Sequence, residues 1–228
     1  MRGLIFILLI TPIESFGQFL RPDTIIVPPI QKVGRNEMDF VPTSWEILRE
    51  VSGDLNRDKK KDHVMILGVK NHILVQKNID TTRNEVPRLL LVLISDRDKW
   101  RLEVFSDKAI LPSGFGGGFD PIEFNEPLSI NEKERSLIIS MYGGLRERCT
   151  VNYTFKKNRG IWSLFAAEKM VYDSTSPEGH GEYYSIDFVK KEIRSSKTEK
   201  IQTLKWRKPP SLKDFRPFEY EIFPGLVI

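Results

Sequence analysis

Between Gly53 and Asp62 the chain reads Gly-Asp-Leu-Asn-Arg-Asp-Lys-Lys-Lys-Asp, which sets side-chain oxygens at loop positions one, three, five and nine. Calcium is a hard cation that takes roughly six to eight oxygen ligands, and alternate residues of a tight loop can converge on it. On this reading Asp54, Asn56 and Asp58 offer side chains, Lys60 its backbone carbonyl, and Asp62 the closing carboxylate. An EF-hand closes with Glu at the twelfth position, where this chain has Met65, so the loop is not an EF-hand. The alternative is a structural turn in which Asp54 and Asn56 accept backbone N–H groups.

Other residues could do chemistry, with weaker spacing. Glu123 and the Glu178/Glu182 region supply carboxylates for a carbohydrate-active hydrolase, whose geometry only folding would set. His180 stands between two glycines and two glutamates, while His63 and His72 adjoin strand residues without ligand spacing. Ser113 to Gly118 is glycine-rich, but Phe119-Asp120-Pro121 follows where a phosphate loop needs Lys-Ser/Thr. There is no Gly-x-Ser-x-Gly and no His-Glu-x-x-His. Cys149, the one cysteine, lies in a strand-like run with no basic group placed to activate it. Trp100, Tyr142, Tyr153, Trp162, Tyr183 and Tyr184 are candidates either for a sugar-binding face or for a β core.

The Asp54–Asp62 loop, with Trp45 before it and a Val/Ile strand after it, resembles the Asp-x-Asn-x-Asp-Gly-x-x-Asp loops of FG-GAP and VCBS-type repeat proteins. The rest of the chain is similar to small exported bacterial proteins with a single such loop. The segments that carry this likeness include Leu89–Ile94, Trp100-Arg101-Leu102, Gly116–Pro121, Met141–Gly144, Tyr153–Phe155, Trp162–Leu164 and Tyr184–Phe188. The resemblance implies an all-β, integrin-repeat-like or sandwich module with no agreed enzymatic activity. Lys59 departs from it, standing where the family has a glycine in left-handed backbone. A side chain there costs on the order of 1–2 kcal/mol, and three lysines in a row oppose a cation.

The elements that must position these residues read as strands. Leu89 to Ile94 is a continuous apolar run, too short for a confident helix and suited to a strand buried on both faces. Further strands are expected at Thr24–Val27, His63–Lys70, Trp100–Phe105, Ile122–Ile130, Ser136–Tyr142, Thr150–Lys156, Trp162–Tyr172, Tyr183–Val189, Glu192–Ser196 and Thr203–Trp206, joined by tight turns. Thr43-Ser44 offers an N-cap for one short helix through Trp45, Ile47 and Leu48, ending near Val51. The fold class expected is mainly β: an antiparallel meander forming a sandwich or strongly curled sheet, with one short N-terminal helix. Residues 18–42 are expected to form an extended arm, and residues 43–228 a single β domain whose tail after Pro209 is a surface strap.

Met1-Arg2-Gly3, the apolar run Leu4–Ile10 and the small-x-small exit Ser15-Phe16-Gly17 read as a signal peptide over residues 1–17, cleaved before Gln18. The run falls short of the ~20 apolar residues a membrane span needs. The net charge of +4 comes from cations interspersed with acids, which argues against a nucleic-acid surface. The functional expectation is a periplasmic or extracellular, monomeric, non-catalytic β module that binds a protein or glycan partner, with a weak calcium loop. The rivals are the two-carboxylate hydrolase and a structural or inhibitor-type surface protein.

Overall fold

The structure, a computed structural model, describes residues 27–70, 86–115, 119–123, 126–175, 181–205, 208–223 and 226–228. The signal segment, most of the expected Thr24–Val27 strand, His72, Glu178, His180, Gly116–Gly118 and Trp206 lie outside the described residues.

Strands β1 (Val33–Gly34), β2 (Trp45–Gly53), β3 (Asp62–Val69), β4 (Arg88–Asp96) and β5 (Lys99–Ser106) form an antiparallel sheet in the order β1-β5-β4-β3-β2. A second antiparallel sheet takes β6 (Leu128–Asn131), β7 (Ser136–Gly144), β8 (Glu147–Asn158), β9 (Ile161–Asp173), β10 (Gly181–Asp187), β11 (Glu192–Ser195) and β12 (Thr198–Thr203) in simple meander order. A small hairpin of β13 (Glu221–Phe223) and β14 (Leu226–Val227) closes the chain. The two large sheets are not closed into a barrel, and they stack as a β sandwich around one apolar cluster.

Period-two alternation explains the layers. Val64, Ile66, Leu90 and Val92 point to the inter-sheet core, where they share a cluster with Leu137, Ile139, Val151, Tyr153 and Phe155 of the second sheet. Met65, Leu67, Leu89, Leu91 and Leu93 point the other way, into a second cluster with Phe40, Trp45, Val86 and the half-buried Val27, Ile30 and Val41. The Leu89–Ile94 run is therefore a strand buried on both faces, as its sequence predicts.

The helix expected at Trp45–Val51 is not there: the segment is β2, paired with β3 from Trp45↔Val69 to Gly53↔Asp62. A β-bulge between Ile47 and Arg49 explains the misreading. It flips the apolar parity, so Trp45 and Ile47 join the outer cluster while Leu48 and Val51 join the inter-sheet core. Apolar residues at i, i+2, i+3 and i+6 then imitate a helical stripe. Gly68 accommodates the bulge, since a Cβ there would stand 2.6 Å from Leu48 Cδ1. The helical turn among the described residues is a four-residue 3-10 helix, Glu37–Phe40, capped by Asn36 and Asp39. It falls inside the expected arm.

Three further expectations change. The strand expected at Thr203–Trp206 lies earlier, as β12 ends at Thr203 and residues 204–205 are not strand. Among the described residues of the expected Ile122–Ile130 strand, Ile122, Glu123, Glu126 and Pro127 are not strand, and β6 begins at Leu128 just after Pro127. The tail after Pro209 is not a surface strap. Leu212, Phe215, Ile222, Leu226 and Ile228 are buried, Ser211 bridges to Ser163, and Phe215 packs edge-on to Tyr153 and Phe155 and stacks on Tyr220.

Candidate functional site

The Asp54–Asp62 loop is the turn of the β2–β3 hairpin. Its oxygens are spent on its own backbone. Asp54 Oδ1 accepts from Asn56 N at 3.1 Å and Arg57 N at 2.5 Å, and Oδ2 accepts from Lys59 N at 2.9 Å. Asn56 Oδ1 accepts from Asp58 N at 2.8 Å, and Asp58 Oδ1 from Lys60 N at 2.8 Å. Asp62 is fully buried, with Oδ2 on Leu55 N at 2.8 Å and Oδ1 on Ser95 N at 3.0 Å. That second bond ties the loop to the next hairpin. Lys59 has φ +65° and Arg57 φ +67°, so the position that a glycine fills in the resembled loops is left-handed here too.

The two end carboxylates sit in opposite electrostatic settings. Desolvation pushes Asp54 up, but the N–H groups of Lys59, Arg57 and Asn56 outweigh it and hold the carboxyl below the usual range. At Asp62 desolvation wins over the two N–H donors, and the charges of Asp58 and Asp54 push the same way, so its carboxyl is raised. Among the described residues no three His, Cys, Asp or Glu side chains cluster closely enough to hold a metal ion. As arranged, Asp54, Asn56, Asp58, Lys60 and Asp62 make a hydrogen-bonded turn that does not fit calcium without re-aiming its carboxylates.

The hydrolase carboxylates fall in different places. Glu123 lines a crevice of about 280 Å³ with Arg49, Ser113 and the ion pair of buried Arg88 with half-buried Asp120. Arg88 also donates to the Leu111 carbonyl at 3.1 Å, so this charge pair anchors a loop. Glu182 sits on β10, where Lys197 foremost, then Tyr184 and Ser195, hold its carboxyl low. His63 lies edge-on to Trp100 with centroids 4.8 Å apart. Burial pushes the Cys149 thiol up, which suits a strand residue and not a nucleophile.

The candidate aromatics divide by face. Tyr153 and Trp162 are buried, and Trp100 and Tyr184 pack against the two clusters. Because Val151, Tyr153 and Phe155 of β8 point inward, their neighbours Thr150, Asn152 and Thr154 point outward. Register carries the outward rows across the sheet: Tyr142↔Thr150↔Met170↔Tyr183, then Ser140↔Asn152↔Glu168↔Ser185↔Arg194. Met170 and Tyr183 are 42% and 41% exposed, large values for such side chains on a sheet face. Tyr142 lies beneath Phe119, with its hydroxyl 3.3 Å from that of Tyr172, and the Arg148 guanidinium sits 4.9 Å over the Phe119 ring. Desolvation, with a hydrogen bond to Glu168, pushes the Tyr183 hydroxyl up to about 12. Beyond the polar row a shallow hollow of about 210 Å³ is lined by Ser185, Asp187, Lys190, Glu192 and Arg194, with Lys190 on Asp187 and Arg194 on Glu192.

Tyr142 and Tyr183 are among the aromatics the sequence offers for a sugar-binding face, whereas Met170, Tyr172 and Phe119 are not. The signal was available in principle. Alternation places Met170 and Tyr172 outward once Leu164 is known to point inward and the β-bulge between Thr154 and Phe155 is known. No helix among the described residues is long and apolar enough to cross a membrane. No family model, curated protein or solved structure matches the chain.

Proposed function

We propose that this protein is an exported, monomeric, non-catalytic β module that binds an extended, uncharged glycan on the outer face of its seven-stranded sheet. One observation carries the reading: Met170, Tyr172, Tyr183 and Phe119 form an apolar patch directly beside the polar row Asn152, Glu168, Ser185 and Arg194. A sugar ring has an apolar C–H face and a polar hydroxyl edge, and aromatic side chains beside hydrogen-bonding groups complement both. Charge supports an uncharged ligand, because Asp187 and Glu192 are balanced by Lys190 and Arg194. The N-terminal sequence supports export. The Asp54–Asp62 loop, at the turn of the β2–β3 hairpin, enters as a weak calcium site whose carboxylates must first release backbone N–H groups, away from the chemistry of binding.

Affinity electrophoresis through gels cast with soluble polysaccharides tests the reading. At least one neutral polysaccharide retards the mature chain, and Tyr183→Ala lowers that affinity about 30-fold, the loss of roughly 2 kcal/mol expected of an interface aromatic. Retardation by none of a broad panel, or retardation that Tyr183→Ala leaves unchanged, overturns it.

A further inference from the structure

Between β5, the β8–β9 turn and the C-terminal tail lies a crevice of about 670 Å³, whose lining includes Lys32, Val33, Arg101, Glu103, Trp162 and Lys213. That volume lies within the range of small-molecule sites. A β-bulge puts Glu103 opposite no partner, between the pairs Val92↔Val104 and Leu93↔Leu102. Arg101 pairs with Ile94, an inter-sheet core residue, so this part of β5 turns its charges toward the second sheet. The C-terminal tail supplies the third wall, held there by Leu212 N on the Trp162 carbonyl at 2.8 Å and by Ser106 Oγ on the Lys213 carbonyl at 3.1 Å.

The crevice is apolar within and basic at its rim. Trp162, 3% exposed, lies at its inner wall, and its buried indole N–H meets no acceptor among the described residues. Val33 and Ile161 stand at the lip with 52% and 53% of their surface exposed. Glu103, 7% exposed at its side chain, is the carboxylate among the lining residues, and it is neutralised by Arg101 at 2.6 Å and by Lys157. Lys32 and Lys213 lie at the rim as well, and neither makes an ion pair among the described residues. The lining thus offers three cations against one carboxylate, around an apolar wall.

We propose that this crevice is a second binding site, taking a small amphipathic carboxylate whose apolar body lies against Val33, Ile161 and Trp162 while its anionic end meets Lys32 and Lys213. The site is on a different face from the tyrosine patch and stands or falls independently of glycan binding.

Titration calorimetry of the mature chain with decanoate, decyltrimethylammonium, acetate and inorganic phosphate, all below micelle-forming concentrations, tests it. Decanoate binds at least ten-fold more tightly than decyltrimethylammonium, which shares its apolar body with the opposite charge, and at least ten-fold more tightly than acetate or phosphate, which lack that body. The double variant Lys32→Gln/Lys213→Gln weakens decanoate ten-fold or more with its melting temperature unmoved, since both side chains are exposed. Equal binding of the cationic amphiphile, equal binding of acetate or phosphate, or a double variant of unchanged affinity overturns the proposal.

Discussion

The two sheets use the same period-two alternation to opposite ends. The five-stranded sheet buries both faces, with Val64, Ile66, Leu90 and Val92 on one side and Met65, Leu67, Leu89, Leu91 and Leu93 on the other. The seven-stranded sheet buries one face and turns Asn152, Glu168, Met170, Tyr183 and Ser185 outward. The central strands β3 and β4 of the five-stranded sheet, covered on both sides, can only support. The sheet with a free face has room for recognition, and there alternate positions are released from packing to take aromatic and hydrogen-bonding residues. The difference separates scaffold from candidate site inside one sandwich.

The largest effects should break that comparison if it is wrong. Leu91→Ala, at a fully buried position of the five-stranded sheet, is expected to cost about 2–5 kcal/mol in denaturant unfolding. Phe215→Ala, in the tail that sequence alone placed on the surface, should cost about 3–5 kcal/mol. Thr154→Ala, on the outer face of the seven-stranded sheet, should stay within roughly 0.5 kcal/mol of the parent. Equal losses at all three would mean that the outer face is packed after all.

A smaller effect sharpens the reading of the hairpin loop. Lys59→Gly relieves a left-handed side chain, φ +65°, and is expected to stabilise by about 1–2 kcal/mol without any metal. Because Asp54, Asn56, Asp58 and Asp62 already bond backbone amides, millimolar calcium should move the melting temperature less than this substitution does. A larger calcium shift in the parent chain, abolished by Asp58→Ala, would make the loop a metal site first and a turn second.

The smallest effect concerns the charges between the sheets. Desolvation raises the Glu103 carboxyl, but Lys157 and Arg101 outweigh it and hold it below its usual value. A carboxyl lowered by folding contributes stability above its unfolded pKa and loses it as pH falls through the folded one. The parent chain should therefore lose melting temperature more steeply below about pH 4.5 than Glu103→Gln does. Parallel acid limbs would show that the pair contributes nothing across this range.

How much of this was legible in the sequence depended on whether the signal was local. The Leu89–Ile94 run, the hairpin turns and the sandwich follow from composition and alternation over a few residues. Trp45–Val51 misled because a single bulged residue flips parity, and bulges leave no mark in apolar content. The tail misled because its prolines suggest a surface path, while Phe215 packs against Tyr153 and Phe155 of β8, far earlier in the chain. The oxygen-rich loop is legible as a loop ahead of the His63 strand, but spacing cannot say whether a carboxylate faces a cation or its own backbone. The tyrosine face and the basic crevice were harder still, since each is assembled from several strands and the exact register between them.

Methionine oxidation gives the most direct test of the glycan face, because the chain carries its own control. Met170 lies in the patch at 42% exposure, and Met38 lies on the 3-10 helix of the N-terminal segment at 61%. Mild peroxide should convert both to sulfoxide in the free chain, followed by mass spectrometry of the peptides. With the retarding polysaccharide present, the account predicts that oxidation of Met170 slows at least five-fold while that of Met38 is unchanged. Unprotected Met170, or equal protection of both, would contradict it.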